Sequence, residues 1–154
     1  MKVEIVAAEY WHADAIAAHA RQADVDELWA QDRATPLEAM HRGMKLTTSA
    51  RTGLVDDAPV CMFGVTPYSI LRGQGVPWMV GSTALDRLSV QKALLVQSRI
   101  AIAEMWDSYT LLFNTVDDRN TAAKRWLAWM GFILLEPMTY GPDRLAFRPF
   151  YWSA

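Results

Sequence analysis

The sequence predicts a mixed α+β fold: a mostly antiparallel sheet flanked by helices, with a strand–helix–strand crossover at its centre. Three observations carry this. The chain has 154 residues, 52% of them apolar, which is enough for one core and too short for two. Its hydrophobic period changes from helical to alternating after Ala50 and becomes helical again after Ser89. The apolar run Tyr109 to Val116 lies between two helix-like segments, as a strand in the middle of a sheet does.

Taken in order, Val3 to Ala7 is a first strand and His12 to Ala20 a short Ala-rich helix. Asp24-Val25-Asp26-Glu27 has a capping-box pattern and predicts the start of another helix. Thr35-Pro36-Leu37-Glu38 is a stronger start, with a capping Thr, Pro at the first helical position and Glu at the third. Leu37, Met40, Met44 and Leu46 carry that helix toward Ala50. Arg51 to Val55, the turn Asp56-Asp57-Ala58 and Pro59 to Thr66 read as a β-hairpin. Pro67 to Gly75 is a loop closed by Pro77, ahead of the short strand Trp78 to Thr83.

Ser89 caps a long helix whose buried face is Ala93, Leu94, Val96, Ile100, Ala103 and Met105. After the strand Tyr109 to Val116, Asp118 or Asn120 opens a helix through Trp126, Leu127 and Met130, which Gly131 ends. Phe132 to Met138 and Leu145 to Tyr151 are two last strands, joined by Tyr140-Gly141-Pro142-Asp143. No repeat or linker divides the chain, so residues 1–154 are expected to form one domain.

Composition removes several function classes. Fifteen Lys and Arg against seventeen Asp and Glu give a net charge of -2, no field for a phosphate backbone, so no nucleic-acid partner is expected. The greasy stretch Ala93 to Trp106 is interrupted by Gln97, Ser98, Arg99 and Glu104 and cannot span a membrane. Met1-Lys2-Val3-Glu4 leads straight into a strand with no apolar signal core. A soluble protein of the producing cell's cytoplasm is the expectation. Cys61, the single cysteine, excludes an intramolecular disulfide and reads as a buried, inert thiol. His12, His19 and His41 lie on separate helical pieces as surface residues, and no metal site is expected. Ser82 and Ser89 lack the glycine-flanked elbow of a hydrolase. Lys124-Arg125-Trp126 reads as solvated decoration. Seven Trp and eight Met fill a core adaptably or form a sticky surface for a partner.

The segment Asn120-Thr121-Ala122-Ala123-Lys124-Arg125-Trp126-Leu127-Ala128-Trp129-Met130-Gly131-Phe132 resembles the late helix of the GCN5-related N-acetyltransferase (GNAT) superfamily. Asn120, Ala123, Trp126, Gly131 and Phe132 fall in the family's register, and the order of elements is similar across almost the whole chain. Chain size and pattern are also similar to GNAT-like proteins of short-tailed bacteriophages, of the internal virion type. The GNAT resemblance implies a GNAT-like sheet and acetyl-CoA or coenzyme A as the ligand. It places the pyrophosphate on the loop and helix start carrying Arg87, Ser89, Val90 and Lys92, and Asn120 near the pantetheine or thiol end. The same segment has a purely structural reading: Asn120 caps, Gly131 ends the helix and Phe132 enters the core.

The chain departs from the family's pattern at three points. The motif glycines are replaced by Val90 and Lys92, and there is no glycine between Ser82 and Met130. A β-branched Val at the cradle is expected to crowd a diphosphate, so Val90→Gly should tighten binding and Arg87→Ala with Lys92→Ala should weaken it. The leaving-group Tyr falls on Leu127, which has no proton to give, while Tyr109 and Tyr140 read as core or rim residues. The strand Trp78 to Thr83 carries no acid, and Glu104 and Glu136 lie elsewhere, so no residue is assigned a catalytic role.

These departures favour an eroded acetyl-CoA site in a GNAT-fold protein that works by protein interaction, as a virion component or a factor acting on host proteins or assembly. Such a protein is expected to have a protein partner, to form an oligomer, or to be packaged in a virion. The aromatic C-terminus Phe147-Arg148-Pro149-Phe150-Tyr151-Trp152 reads as a docking element or as an edge strand closing the core. The alternative is an active acetyl-CoA-dependent N-acyltransferase with a divergent pyrophosphate loop.

Overall fold

The computed structural model describes residues 1–154. Its elements run β1 (Val3–Ala7), α1 (Tyr10–Ala18), α2 (Gln22–Asp32), α3 (Pro36–Leu46), β2 (Arg51–Val55), β3 (Ala58–Ser69), β4 (Gln74–Gly81), α4 (Leu88–Trp106), β5 (Leu111–Asp117), α5 (Thr121–Trp129), β6 (Ile133–Leu134), β7 (Met138–Tyr140) and β8 (Leu145–Ser153). A single 3₁₀ turn, Thr83–Asp86, links β4 to α4. All eight strands join one sheet in the order β1-β2-β3-β4-β5-β8-β6, with β7 also on β8. Every pairing is antiparallel except β4 with β5, the two strands that α4 connects. This is the mixed α+β sheet with a central crossover that the sequence predicts.

The alternation of side chains along each strand sorts the helices into two layers. Met62 and Val80 face α1 and α3, where they pack with Ala13, Ile16 and Met40. Their neighbours Cys61 and Met79 face α4, in a cluster with Val60, Leu85, Val90 and Leu94. A third cluster, Val65, Leu112, Val116, Phe132 and Phe150, joins the end of α4 and α5 to the far half of the sheet. Burying one such side chain contributes roughly 1.5–3 kcal/mol.

Local chemistry explains most boundaries. Thr35 caps α3 as expected: its Oγ1 accepts from Glu38 N (3.2 Å) while Glu38 Oε1 accepts from Thr35 N (3.1 Å). That helix ends at Leu46, short of Ala50, where Thr47 turns extended. Asp56 and Asp57 both have left-handed backbones, the geometry of a tight two-residue hairpin. The expected loop Pro67 to Gly75 is instead mostly hairpin, with β3 running to Ser69 and β4 starting at Gln74. Pro77 lies inside β4 rather than closing a loop. In α4 the buried face is Val90, Leu94 and Ser98, whereas Val96 and Ile100 are exposed, a rotation of the expected stripe. Ser89 is not the cap: Arg87 is, and Ser89 sits in the first turn. The expected strand Phe132 to Met138 is split into the short β6 and β7.

The aromatic C-terminus is no free docking element. It forms β8, paired on one side with β5 and on the other with β6 and β7. Phe147 and Phe150 are buried, and Trp152 packs on Trp106 with ring centroids 4.9 Å apart.

Candidate active site

The parallel pair β4 and β5 is joined by backbone only at Gln74–Leu111 and Gly75–Leu112. Beyond that the strands diverge. Pro77 is the next β4 residue on the β5 side and has no N–H to offer the ladder. Its carbonyl is held instead by the Asn114 side chain, whose Nδ2 donates to it at 2.8 Å. The gap opened here is a cavity of about 430 Å³ that runs through the sheet, from α4 and α5 on one face to α2 on the other.

The cavity wall is mainly apolar, from Phe63, Val65 and Met79 through Leu94, Ile102 and Trp106 to Leu127 and Phe132. Polar groups sit at chosen points. On the β4 edge, Gly81 N donates to Asp24 Oδ2 (2.9 Å) and Gly81 O accepts from Arg21 N (3.0 Å). Met79 lies between Pro77 and Gly81, so strand alternation turns its backbone N–H and C=O to the same open edge. Thr115 lines the cavity, and its buried hydroxyl has no partner in the protein.

The start of α4 stands beside the cavity and reaches it through Gln91; Arg87, Ser89, Val90 and Lys92 do not line it. Val90 N and Gln91 N donate to Arg87 O (3.0 and 3.1 Å), which leaves the Leu88 and Ser89 amides without a protein acceptor. Arg87, Ser89 and Lys92 are exposed around these amides. Val90 is not among them. Its side chain is 1% exposed, packed in the core with Leu85 and Leu94, and its amide is occupied. A Val at this position therefore does not crowd an anion, and glycine there would delete a core side chain rather than open a cradle.

At the other face α2 presents Arg21, Asp24 and Glu27, spaced by three along one side. Asp24 and Glu27 are the only carboxylates lining the cavity. Asp24 accepts from Arg21 Nε and Nη2 (3.1–3.3 Å), from Gly81 N and from Asn120 Nδ2 (3.3 Å). Glu27 is held through Oε1 alone, by Asp117 N (2.8 Å) and Asn120 Nδ2 (3.4 Å). Burial, and after it the charges of Asp24 and Asp117, pushes the Glu27 carboxyl up to about 7 against those two hydrogen bonds. Asp117 is tied to Arg119 (2.7 Å) just outside.

Asn120 is placed differently from the resemblance's implication. It is 2% exposed, its Oδ1 caps α5 through Ala123 N (3.2 Å), and its Nδ2 serves the two carboxylates. It positions acids and is not free for a thiol. Leu127 lines the cavity and has no proton to give, and neither Tyr109 nor Tyr140 lines it. Tyr109 packs behind Gly75 and Tyr140 edges onto Phe147. His12 is buried rather than on the surface, and burial lowers its proton affinity. Cys61 is buried with its thiol pushed up to about 12 by desolvation, so it stays protonated near neutral pH.

Asp24 and Glu27 do not stand out as site residues in the sequence, since helix-capping signs account for them. Helix α2 begins two residues earlier, at Gln22, and its signal was the charged spacing Arg21, Asp24, Glu27.

No protein-family profile matches the chain, and no curated protein does. Solved structures do. Ard1 from Thermoplasma volcanium superposes with a TM-score of 0.74 at 14% identity, covering 100% of this chain and 99% of its own. An acetyltransferase of the GNAT family from Streptococcus pneumoniae gives 0.64 at 16% identity, covering 99% of each chain. Aminoglycoside acetyltransferase AAC(6')-Ib, solved with coenzyme A, gives 0.66 at 12% identity over 99% of this chain and 95% of its own. At these identities the likeness is one of fold: the chain has the GNAT fold. No helix is long and apolar enough to cross a membrane.

Proposed function

We propose that this GNAT-fold protein is an acyl-CoA-dependent N-acyltransferase working in the cleft between β4 and β5. The observation that carries the reading is the divergence of the one parallel strand pair into an apolar cavity that reaches α4 on one face and the Asp24 and Glu27 carboxylates of α2 on the other. The residues present fit the donor. The Leu88 and Ser89 amides, with Arg87 and Lys92, suit an anionic pyrophosphate. The Met79 backbone and the orphan Thr115 hydroxyl suit the amides of a pantetheine arm along an otherwise greasy wall. On the far face Asp24 and Glu27 suit a cationic amine, so donor and acceptor enter from opposite sides of the sheet. Leu127 supplies no acid, and a thiol with pKa near 8.5 leaves tolerably without one.

The chain is tested by thiol release from acetyl-CoA with three amine probes: a peptide with a free α-amine, a peptide with one lysine, and kanamycin. Turnover with at least one is expected. Arg87→Ala with Lys92→Ala should raise KM for acetyl-CoA roughly tenfold or more with little change in kcat, the loss of two charge-assisted contacts. An unchanged KM overturns the cradle.

A second reading keeps the fold and gives up transfer: a protein acting by interaction, on host proteins or within a virion. Its support is the tip of the β3–β4 hairpin, where Tyr68, Ile70 and Leu71 are exposed, Leu71 fully.

A further inference from the structure

We infer that Glu27 is the catalytic residue that takes the proton from the acceptor ammonium, with Asp24 and Asn120 as its positioning residues. This rests on the transfer reading above and deepens it. The two carboxylates of the cleft are held in unlike ways. Asp24 is fully engaged: Arg21 binds both its oxygens, Gly81 N takes Oδ2 and Asn120 takes Oδ1. Glu27 is bound through Oε1 only, and no donor of the protein reaches Oε2. One acid has both oxygens occupied. The other keeps an oxygen for an incoming proton. Pairs of carboxylates whose surroundings differ in this way divide acid–base work between them.

The base is also rigidly placed. Glu27 rises from the middle of α2, and its Oε1 is fixed by Asp117 N at the end of β5 and by Asn120 at the start of α5. The charged groups around it come from three elements. Asp24, Arg21 and Asp26 belong to α2 or its cap, Asp117 and Arg119 to the end of β5 and the turn after it, and Arg125 of α5 lines the same cavity. Arg21 and Arg119 each hold a carboxylate, Asp24 and Asp117, which leaves Glu27 without a cation of its own. Its proton affinity therefore sits near neutrality, where a general base is most effective.

The ammonium gives one proton to Glu27 Oε2. The freed lone pair forms the C–N bond at the thioester carbonyl carbon, and the C–S bond breaks with its electrons going to sulfur. The second amine proton leaves on sulfur as thiol, and Glu27 returns its proton to solvent. Ammonium and thioester become amide, thiol and one proton.

The test compares the wild type with Glu27→Gln and Glu27→Asp. Calorimetry with coenzyme A comes first. Equal affinities in wild type and Glu27→Gln are expected, because Glu27 lies away from the phosphate end. No binding by either overturns the transfer reading, and this role with it. With binding intact, kcat/KM of the wild type for the best amine probe should rise with pH through about 7. Glu27→Gln should lose roughly 10²–10⁴-fold and lose that limb, while Glu27→Asp recovers part of both. The same amine in all three keeps its own ionisation common. A limb that persists in Glu27→Gln overturns the assignment, as does a wild type that binds coenzyme A and turns over none of the probes. Independently of turnover, the Glu27 side-chain carboxyl followed by ¹³C NMR should titrate near 7; titration in the ordinary glutamate range, about 4.3, overturns it.

Discussion

Glu27 holds its proton more tightly in the folded chain than in the unfolded one, since folding strips its water and sets Asp24 and Asp117 beside it. Its folded value of about 7 lies above the ordinary 4.5. The stability it contributes is therefore complete below pH 4.5 and is lost as pH rises through 7. A glutamine keeps the Oε1 acceptor for Asp117 N and carries no charge. Glu27→Gln should then gain on the wild type between pH 4.5 and pH 8, by at most about 3 kcal/mol. Urea unfolding at the two pH values measures this, and parallel pH dependence of the two proteins contradicts it. A variant that is more stable at pH 8 yet slower there separates the catalytic role from a structural one.

At the scale of elements, two helix-end or turn glycines share a left-handed backbone and differ in their neighbours. Gly131 (φ 96) ends α5 and meets nothing where a Cβ would be. Gly141 (φ 80) lies in the β7–β8 turn, and a Cβ there would drive into the Ala30 carbonyl of α2. Gly131→Ala should cost about 1 kcal/mol, the backbone term alone. Gly141→Ala should cost clearly more, about 2 kcal/mol or above, because the turn must also leave α2. Denaturant midpoints at equal slope decide it, and equal losses contradict the packing account. Gly131 and Asn120 were legible in the sequence, because a helix cap and a helix stop are local chemistry. Asp24 and Glu27 were not. Their meaning depends on Asp117 and Asn120, about 90 residues away in sequence, arriving on the neighbouring strand and helix. The same holds for Val90: a motif position can be aligned, but whether its side chain faces an anion or the core depends on how α4 is rotated on the sheet.

The whole molecule is one sheet split where β4 and β5 part beyond Gly75. The central crossover, and with it a parallel pair in a mostly antiparallel sheet, was legible from element order, since a helix between two strands calls for one; the strand order was not. The cavity was not, because it depends on Pro77 falling on the β5 side of its strand and on Asn114 bridging the gap. That division sets the start of α4 beside one side of the cavity and the carboxylates of α2 on the other. Isothermal calorimetry of the purified chain with acetyl-CoA and coenzyme A shows whether this cleft takes an acyl-CoA. Binding in the micromolar range, about 8 kcal/mol, is predicted for both. No heat of binding at millimolar ligand would contradict the account and leave a GNAT fold whose cleft serves another purpose.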